Sequence, residues 1–257
     1  MTAPLPQDLN RRLVSLGAAR PLLVCVDYDG TLAPIAPRPE QAQLLPGAFD
    51  VLHRLARLPD TRVAIISGRS RDNLRTHSDF DEPILLIGSH GAELPGKPLI
   101  SSGAVALDAL ETLLAPICAA SPGAWVERKP LGITVHVRQA SATDASRVLD
   151  QVRGVLAHRP ALQVTEGKAV VELSLSRVNK GDAVRWLRTG WGGVDPMVIY
   201  FGDDVTDEAA FAGLDPGDVG IRVGAGSSIA SHRVASEHDV LSVLTLLWRQ
   251  RNGNDSG

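Results

Sequence analysis

Leu22-Leu23-Val24-Cys25-Val26 is an unbroken apolar run that ends directly in Asp27-Tyr28-Asp29-Gly30-Thr31. Because it is apolar at every position rather than at alternate ones, it predicts a strand buried on both faces, as in a parallel sheet covered by helices on either side. Alternation along the strand would send Asp27 and Asp29 to the same side, and Gly30 marks the chain turning there. Open α/β sheets collect ligands at the carboxyl ends of their strands. A pair of carboxylates at such an end can hold a hard cation, or divide nucleophilic and acid–base work. In isolation an Asp-x-Asp-Gly reads better as a turn whose acids cap backbone amides. Three stretches further along the chain weigh against that reading.

The same grammar recurs downstream. Residues 62–66 predict a second buried strand running into Ser67-Gly68-Arg69, with a short helix after it. Residues 84–87 predict a third, running into Gly88-Ser89-His90-Gly91-Ala92-Glu93. Pro34, Pro37 and Pro39 hold an extended segment, and Pro46-Gly47 precedes an amphipathic stretch over 48–57. Near Gly96 the pattern changes. Helices over 104–120 and 143–157 alternate with the strand pairs 124–129/133–138 and 162–165/169–173, the second pair turning around Glu166-Gly167-Lys168. That order, α-β-β-α-β-β, reads as an antiparallel sheet backed by helices on one face. From Asn179 the first pattern returns: a helix over 181–188 and a strand over 198–201 entering Gly202-Asp203-Asp204-Val205-Thr206-Asp207-Glu208. A strand over 219–223 and a closing helix over 240–251 follow; Gly224-Ala225-Gly226 is explained by a turn after the strand. The expected fold is α/β, a doubly wound, Rossmann-like parallel-sheet core of residues 1–100 and 176–257 with an α+β domain inserted over 101–175.

Composition excludes several classes. The chain has 257 residues, 44% hydrophobic and 21% charged, enough for a substantial core. A formal net charge of −3 gives no electrostatic case for nucleic acid. No apolar run approaches the roughly 20 residues of a membrane span. Residues 1–20 lack the apolar segment of a secretory signal. Cys25 and Cys118 are too far apart for a metal knuckle and make no disulfide framework, so a reducing cytoplasm is the expected setting.

Four features thus fall at strand ends or helix starts of one α/β core: Asp27 to Thr31, Ser67-Gly68, Lys180, and Gly202-Asp203-Asp204 with Asp207. Together they are parts for phosphoryl transfer. A carboxylate attacks phosphorus, a hydroxyl and an ammonium hold the phosphoryl oxygens, and acids hold Mg2+ against the developing charge. Mg2+ takes oxygen ligands and keeps several waters, so few carboxylates suffice.

The set resembles the haloacid dehalogenase-type phosphatases over most of the chain. Three stretches bring it closer to the trehalose-6-phosphate phosphatases: Gly88 to Glu93, Glu127-Arg128-Lys129 with His136-Val137-Arg138, and Asp203 to Glu208. The resemblance implies Mg2+-dependent hydrolysis of trehalose 6-phosphate to trehalose and phosphate through an aspartyl phosphate. It implies Asp27 as nucleophile, Asp29 as general acid/base, and Ser67 and Lys180 as holders of the phosphate. Mg2+ would lie on Asp27, the Asp29 backbone carbonyl and Asp203, with Asp207 near the metal shell. The inserted domain becomes a cap whose Glu127, Lys129 and Glu172 grip the sugar, with Arg69 and Arg138 also at substrate-binding positions. A small-molecule substrate, a monomer, and functional pairing with a trehalose-phosphate synthase are the expected partnerships, with no membrane and no nucleic acid.

Individual residues carry plainer readings beside these. Lys180 could be a solvated first-turn charge, and Ser67-Gly68 a helix N-cap. Arg69 fits a phosphate contact or a pairing with a surface acid. His90 reads as a structural histidine closing a turn rather than a catalytic one. Asp204 reads as a holder of loop amides or of Lys180, and Trp186 and Trp191 as helix packing. The same chemistry would serve sucrose phosphate, a mannosyl- or glucosyl-phosphoglycerate, or a hexose phosphate. A regulatory domain that only binds sugar phosphate would not need Asp27, Asp29, Lys180 and Asp203 together.

Overall fold

A computed structural model of the chain describes residues 6–98, 103–157, 159–160, 162–167 and 169–254. In it, β1 (Leu22–Val26) is buried at every position because alternate residues serve two cores. Leu22, Val24 and Val26 join one, while Leu23 and Cys25 join the other. β1 runs parallel between β2 (Thr61–Ile66) and β8 (Met197–Gly202). β3 (Leu85–Ile87) extends the sheet beyond β2, and β9 (Val219–Val223) and β10 (His232–Val234) extend it beyond β8. The six parallel strands stand in the order β10-β9-β8-β1-β2-β3. The chain moves outward from β1 through β2 to β3, then returns to the other side of β1. The carboxyl end of β1 is therefore a topological switch point, where such sheets open a crevice for ligands.

Helices cover both faces. Leu9, Leu13 and Leu16 of α1 (Gln7–Ala18), Val51, Leu52 and Leu55 of α2 (Ala48–Ala56), and Val240, Val243 and Leu247 of α8 (Glu237–Asn254) fill the first core. Ala183, Val184 and Leu187 of α6 (Lys180–Thr189) and Ala210 and Phe211 of α7 (Glu208–Ala212) fill the second. α3 (Arg71–Ser78) is capped by the hydroxyl of Ser70, which accepts from the Asn73 amide.

The described residues form two compact units, Met1–Lys97 with Asn179–Gly257, and Pro98–Val178. In the second, β4 (Trp125–Lys129), β5 (Gly132–His136), β7 (Val170–Ser174) and β6 (Gln163–Gly167) make an antiparallel sheet in that spatial order. α4 (Ala104–Ala119) and α5 (Ala142–Leu156) cover one face through Leu107, Leu110, Leu114, Val148 and Val152 on Ile133, Val135, Val171 and Leu173. The opposite face carries Trp125, Glu127, Lys129, Thr134, His136 and Glu172, since side chains alternate along each strand.

Three features depart from the sequence-based expectation. Residues 7–18 form a helix where no element was expected, and His232–Val234 add a sixth core strand. In the second hairpin, Glu166 and Gly167 belong to β6 rather than to a turn, and Lys168 lies outside the described residues. Among the described residues, no helix is long and apolar enough to cross a membrane.

Candidate active site

Asp27 is the first residue past β1, and its amide still donates to Phe201 O of β8 at 3.0 Å. That ladder bond fixes the carboxylate at the switch point, where it is only 4% exposed. Gly30 directly follows Asp29 in the turn, at φ 79°, and a Cβ there would collide with the Asp203 carboxylate. The turn therefore needs glycine twice over, for its backbone conformation and for the approach of Asp203.

Asp203 follows the last residue of β8 and is buried beside it. Asp207 closes the same loop. Its Oδ2 accepts from the Asp203 and Asp204 amides at 3.0 and 2.9 Å. Its Oδ1 accepts from Lys180 Nζ at 2.8 Å and from the Tyr200 hydroxyl at 2.7 Å. Four donors saturate this carboxylate. Asp204 caps the loop by accepting from the Asp207 amide, so of its two expected roles it takes the amide-holding one.

Lys180 is not a solvated first-turn charge. It is 1% exposed, and its Nζ bridges Asp27 Oδ1 and Asp207 Oδ1, each at 2.8 Å. Asn179 starts the helix under it, accepting from the Gly181 and Asp182 amides while Asp182 reaches back to the Asn179 amide. Gly181 lets α6 come against α7, since a Cβ there would enter the Ala209 carbonyl. Burial would lower the Lys180 ammonium, but the charges of Asp207 and Asp27 outweigh it and hold the group protonated.

Asp27 is under the opposite pressure. Burial pushes its carboxyl up, the Lys180 charge pulls it down, and the Asp207 and Asp203 charges push it up again; the net direction is upward. Asp27, Asp203 and Asp207 bring ligand oxygens within 4.8 Å of one another around a single ammonium. Three buried carboxylates facing one cation are short of positive charge, and an all-oxygen set suits a hard divalent ion. The site fits Mg2+ on those grounds. Because Asp207 is saturated, Asp27 and Asp203 are the carboxylates that would hold the ion.

Asp29 points elsewhere. Its side chain is 39% exposed, and both of its oxygens are held by Arg69. Arg69 therefore pairs with an acid of this site, not with one on the outer surface. Its other contacts, Asn73 Oδ1 at 2.8 Å and Pro39 O at 2.6 Å, fix the guanidinium, which also lies 4.8 Å from the Tyr28 ring centroid. Ser67 is not a helix cap, because Ser70 fills that role; its Oγ accepts from the Arg69 amide at 3.1 Å and shapes the turn after β2. The Gly88–Glu93 loop braces that turn from the next strand. The Ser89 and His90 amides donate to Arg69 O and Ser67 O at 2.8 and 2.9 Å, and Glu93 accepts from the Ser89 hydroxyl and the Arg71 amide. His90 lies against Gly68 in this brace.

In the second unit the expected sugar-gripping residues make one ion pair, Lys129–Glu172, and one bonded pair, Glu127 with His136, on the sheet face away from the helices. Lys129 Nζ donates to Glu172 Oε2 at 2.9 Å, and His136 Nε2 lies 2.8 Å from Glu127 Oε2. Burial would raise the Glu127 carboxyl, but the bond to His136 and the charge of Lys129 prevail and hold it below its ordinary value. His136 also stacks on Trp125, with centroids 4.0 Å apart and planes 4° from parallel. Arg138 follows β5 in the same unit. Trp186 packs against the second core, whereas Trp191 sits past the end of α6 with the Arg62 guanidinium 4.2 Å from its ring centroid.

Sequence reasoning missed Tyr200. It was read as one more apolar residue of a core strand, yet a fully buried phenol needs a partner for its hydroxyl, and Asp207 lies seven residues on.

The family model described as trehalose-phosphatase matches residues 25–243, which include every residue of the candidate site. The chain belongs to the trehalose-phosphatase family. The Escherichia coli trehalose-6-phosphate phosphatase is 34% identical over 242 residues, spanning 90% of this chain and 89% of that protein. A Mycobacterium tuberculosis protein named as an uncharacterized glycosyl hydrolase is also 34% identical, over 96% of this chain, which spans about a fifth (20%) of that protein's length. The C-terminal domain of the C. albicans trehalose-6-phosphate phosphatase has the same fold, with a TM-score of 0.82 at 23% identity over 96% of this chain and 99% of that one.

Proposed function

We propose that the protein is a Mg2+-dependent phosphatase that hydrolyses trehalose 6-phosphate to trehalose and phosphate. The observation that carries the reading is the Asp27–Lys180–Asp207 bridge beside Asp203 at the switch point of the sheet. A domain that only bound sugar phosphate would gain nothing from a nucleophile held by a buried ammonium.

An Asp27 oxygen attacks phosphorus, the P–O bond to the sugar breaks, and an aspartyl phosphate forms. The sugar leaves as an alkoxide of high pKa, so Asp29 delivers a proton to it and then takes one from the water that attacks the aspartyl phosphate. Asp27 is regenerated and inorganic phosphate departs. To do this Asp29 swings off Arg69, which holds it as a carboxylate with both oxygens accepting in the resting arrangement, and takes up a proton from solvent before it acts as the acid. Lys180 and Ser67 receive the phosphoryl oxygens. Asp27, Asp203 and the Asp29 carbonyl would hold Mg2+, which when bound would supply positive charge to offset the buried carboxylates and the phosphate. The cap pairs Lys129–Glu172 and Glu127–His136 read the sugar, since glucose hydroxyls both donate and accept hydrogen bonds.

The test is phosphate release with Mg2+ across trehalose 6-phosphate, sucrose phosphate, glucosyl-phosphoglycerate, a hexose 6-phosphate and para-nitrophenyl phosphate. The reading expects the highest kcat/KM for trehalose 6-phosphate. A preference for another sugar phosphate would keep the chemistry and replace the substrate, while no turnover on any would leave only binding.

A further inference from the structure

Among the described residues, two hydroxyls are buried without a hydrogen-bond partner, those of Thr31 and Thr134. A buried hydroxyl left unpaired works against folding, so such groups need an explanation, and reception of a ligand is one. Thr31 belongs to the Asp27–Thr31 turn of the proposed site. Thr134 is in the cap, on β5, an inner strand of the sheet face that carries the Lys129–Glu172 and Glu127–His136 pairs.

The register makes the position specific. Thr134 stands directly opposite Glu127 on β4 and opposite Glu172 on β7. A threonine between two facing carboxylates would ordinarily donate to one of them. Here each carboxylate turns away along its strand: Glu127 to His136, and Glu172 to Lys129. The two pairs diverge on either side of Thr134, whose hydroxyl reaches neither although the residue is only 2% exposed. What remains is a polar centre bordered by two anions and two donors.

We propose that Thr134 is a specificity-determining residue, its hydroxyl exchanging a hydrogen bond with a glucosyl hydroxyl of the substrate seated between the Lys129–Glu172 and Glu127–His136 pairs. This deepens the trehalose 6-phosphate reading and rests on it. A sugar hydroxyl suits the position because it donates to a carboxylate and accepts from the threonine at once. An anionic or apolar group suits it badly, since the flanking carboxylates repel the first and the hydroxyl stays unpaired against the second.

Thr134→Val keeps the shape and removes the hydroxyl; Thr134→Ser keeps the hydroxyl and removes the methyl. The measurement is the ratio of kcat/KM on trehalose 6-phosphate to that on para-nitrophenyl phosphate, together with the thermal midpoint. Thr134→Val should lower the ratio about tenfold or more, the scale of one lost hydrogen bond to a substrate. Its midpoint should equal or exceed that of the unaltered protein, because an unsatisfied hydroxyl has gone. Thr134→Ser should keep the ratio within about threefold. An unchanged ratio in Thr134→Val, or an equal loss in Thr134→Ser, overturns the inference while the substrate reading stands. If the unaltered protein itself shows no preference for trehalose 6-phosphate over the aryl phosphate, the substrate reading fails and takes the inference with it.

Discussion

Arg69 holds Asp29 by both carboxylate oxygens, Nε to Oδ2 and Nη2 to Oδ1, each at 2.7 Å. The guanidinium is itself fixed by Asn73 and Pro39, so it is a rigid rest for the proposed proton carrier and not a loose surface partner. Arg69→Lys keeps the charge but loses the planar two-point grip. If Arg69 acts through Asp29, the variant should lose about tenfold or more in kcat/KM on trehalose 6-phosphate and distinctly less on para-nitrophenyl phosphate, whose leaving group needs no proton. Equal losses on the two would mean that Arg69 acts on the phosphate instead.

Asp29→Asn should follow the same pattern more strongly. Positioned proton transfer contributes typically ~10²–10⁴-fold, and that loss should fall on kcat/KM for the sugar phosphate, because the later base step on the aspartyl phosphate is common to both substrates and enters kcat. An equal collapse of kcat/KM on both substrates would point to damage at the nucleophile or the metal.

Removing Lys180 should damage the fold and not only the chemistry. Lys180→Met leaves Asp27, Asp203 and Asp207 buried around no protein cation, and breaking a buried pair in this way costs about 3–5 kcal/mol. Urea unfolding in EDTA is the measurement. A loss below about 1 kcal/mol, the range of an exposed pair, would contradict the buried bridge.

The carboxylate cluster also predicts a metal response that does not depend on turnover. Mg2+ that binds only the folded protein raises its stability, by about 2.7 kcal/mol at a hundredfold excess over Kd. The thermal midpoint should rise with Mg2+, return with EDTA, and become insensitive to Mg2+ in Asp203→Asn. A midpoint indifferent to Mg2+ in the unaltered protein would remove the metal from the site.

Much of this arrangement was legible before any coordinates. β1 announced itself because a strand buried on both faces shows no alternation, and its acids, which alone fit an amide-capping turn, read as a site once Ser67, Lys180 and Asp203 fell at the same ends of one core. What escaped was information that pairwise contact supplies. Tyr200 looks like core until its hydroxyl meets Asp207, and Ser67 fits a helix cap as well as a phosphate holder until Ser70 fills the cap. Arg69 had two possible partners, and only the fold brings residues 29 and 69 together. His232–Val234 is a short edge strand with Arg233 exposed, too brief and polar for periodicity to detect. α1 carries a Leu9–Leu13–Leu16 stripe that periodicity could have caught, but Pro6 at its start makes no side-chain cap to mark the boundary.

The cap is where selectivity should be separable from chemistry. The roles proposed for the core residues would serve any phosphate monoester, so the proposed mechanism needs the sugar to be read by groups that do not touch phosphorus. Glu127 and Lys129 lie two apart on β4 and hence on one sheet face, and Glu172 reaches Lys129 from β7. An ordinary surface lattice of charges would contribute at most about 1 kcal/mol to stability and nothing to substrate choice. A sugar-reading pair contributes through charged hydrogen bonds, about 1.5–3 kcal/mol each, which corresponds to roughly 10–150-fold in kcat/KM. Glu127→Ala, Lys129→Ala and Glu172→Ala should therefore each lower kcat/KM on trehalose 6-phosphate by one to two orders of magnitude relative to para-nitrophenyl phosphate. Lys129→Ala and Glu172→Ala should also be non-additive, because each removes the other's partner, whereas Glu127→Ala combined with either should be closer to additive. Parallel losses on both substrates in all three variants would show that these charges hold the cap together without reading what it binds.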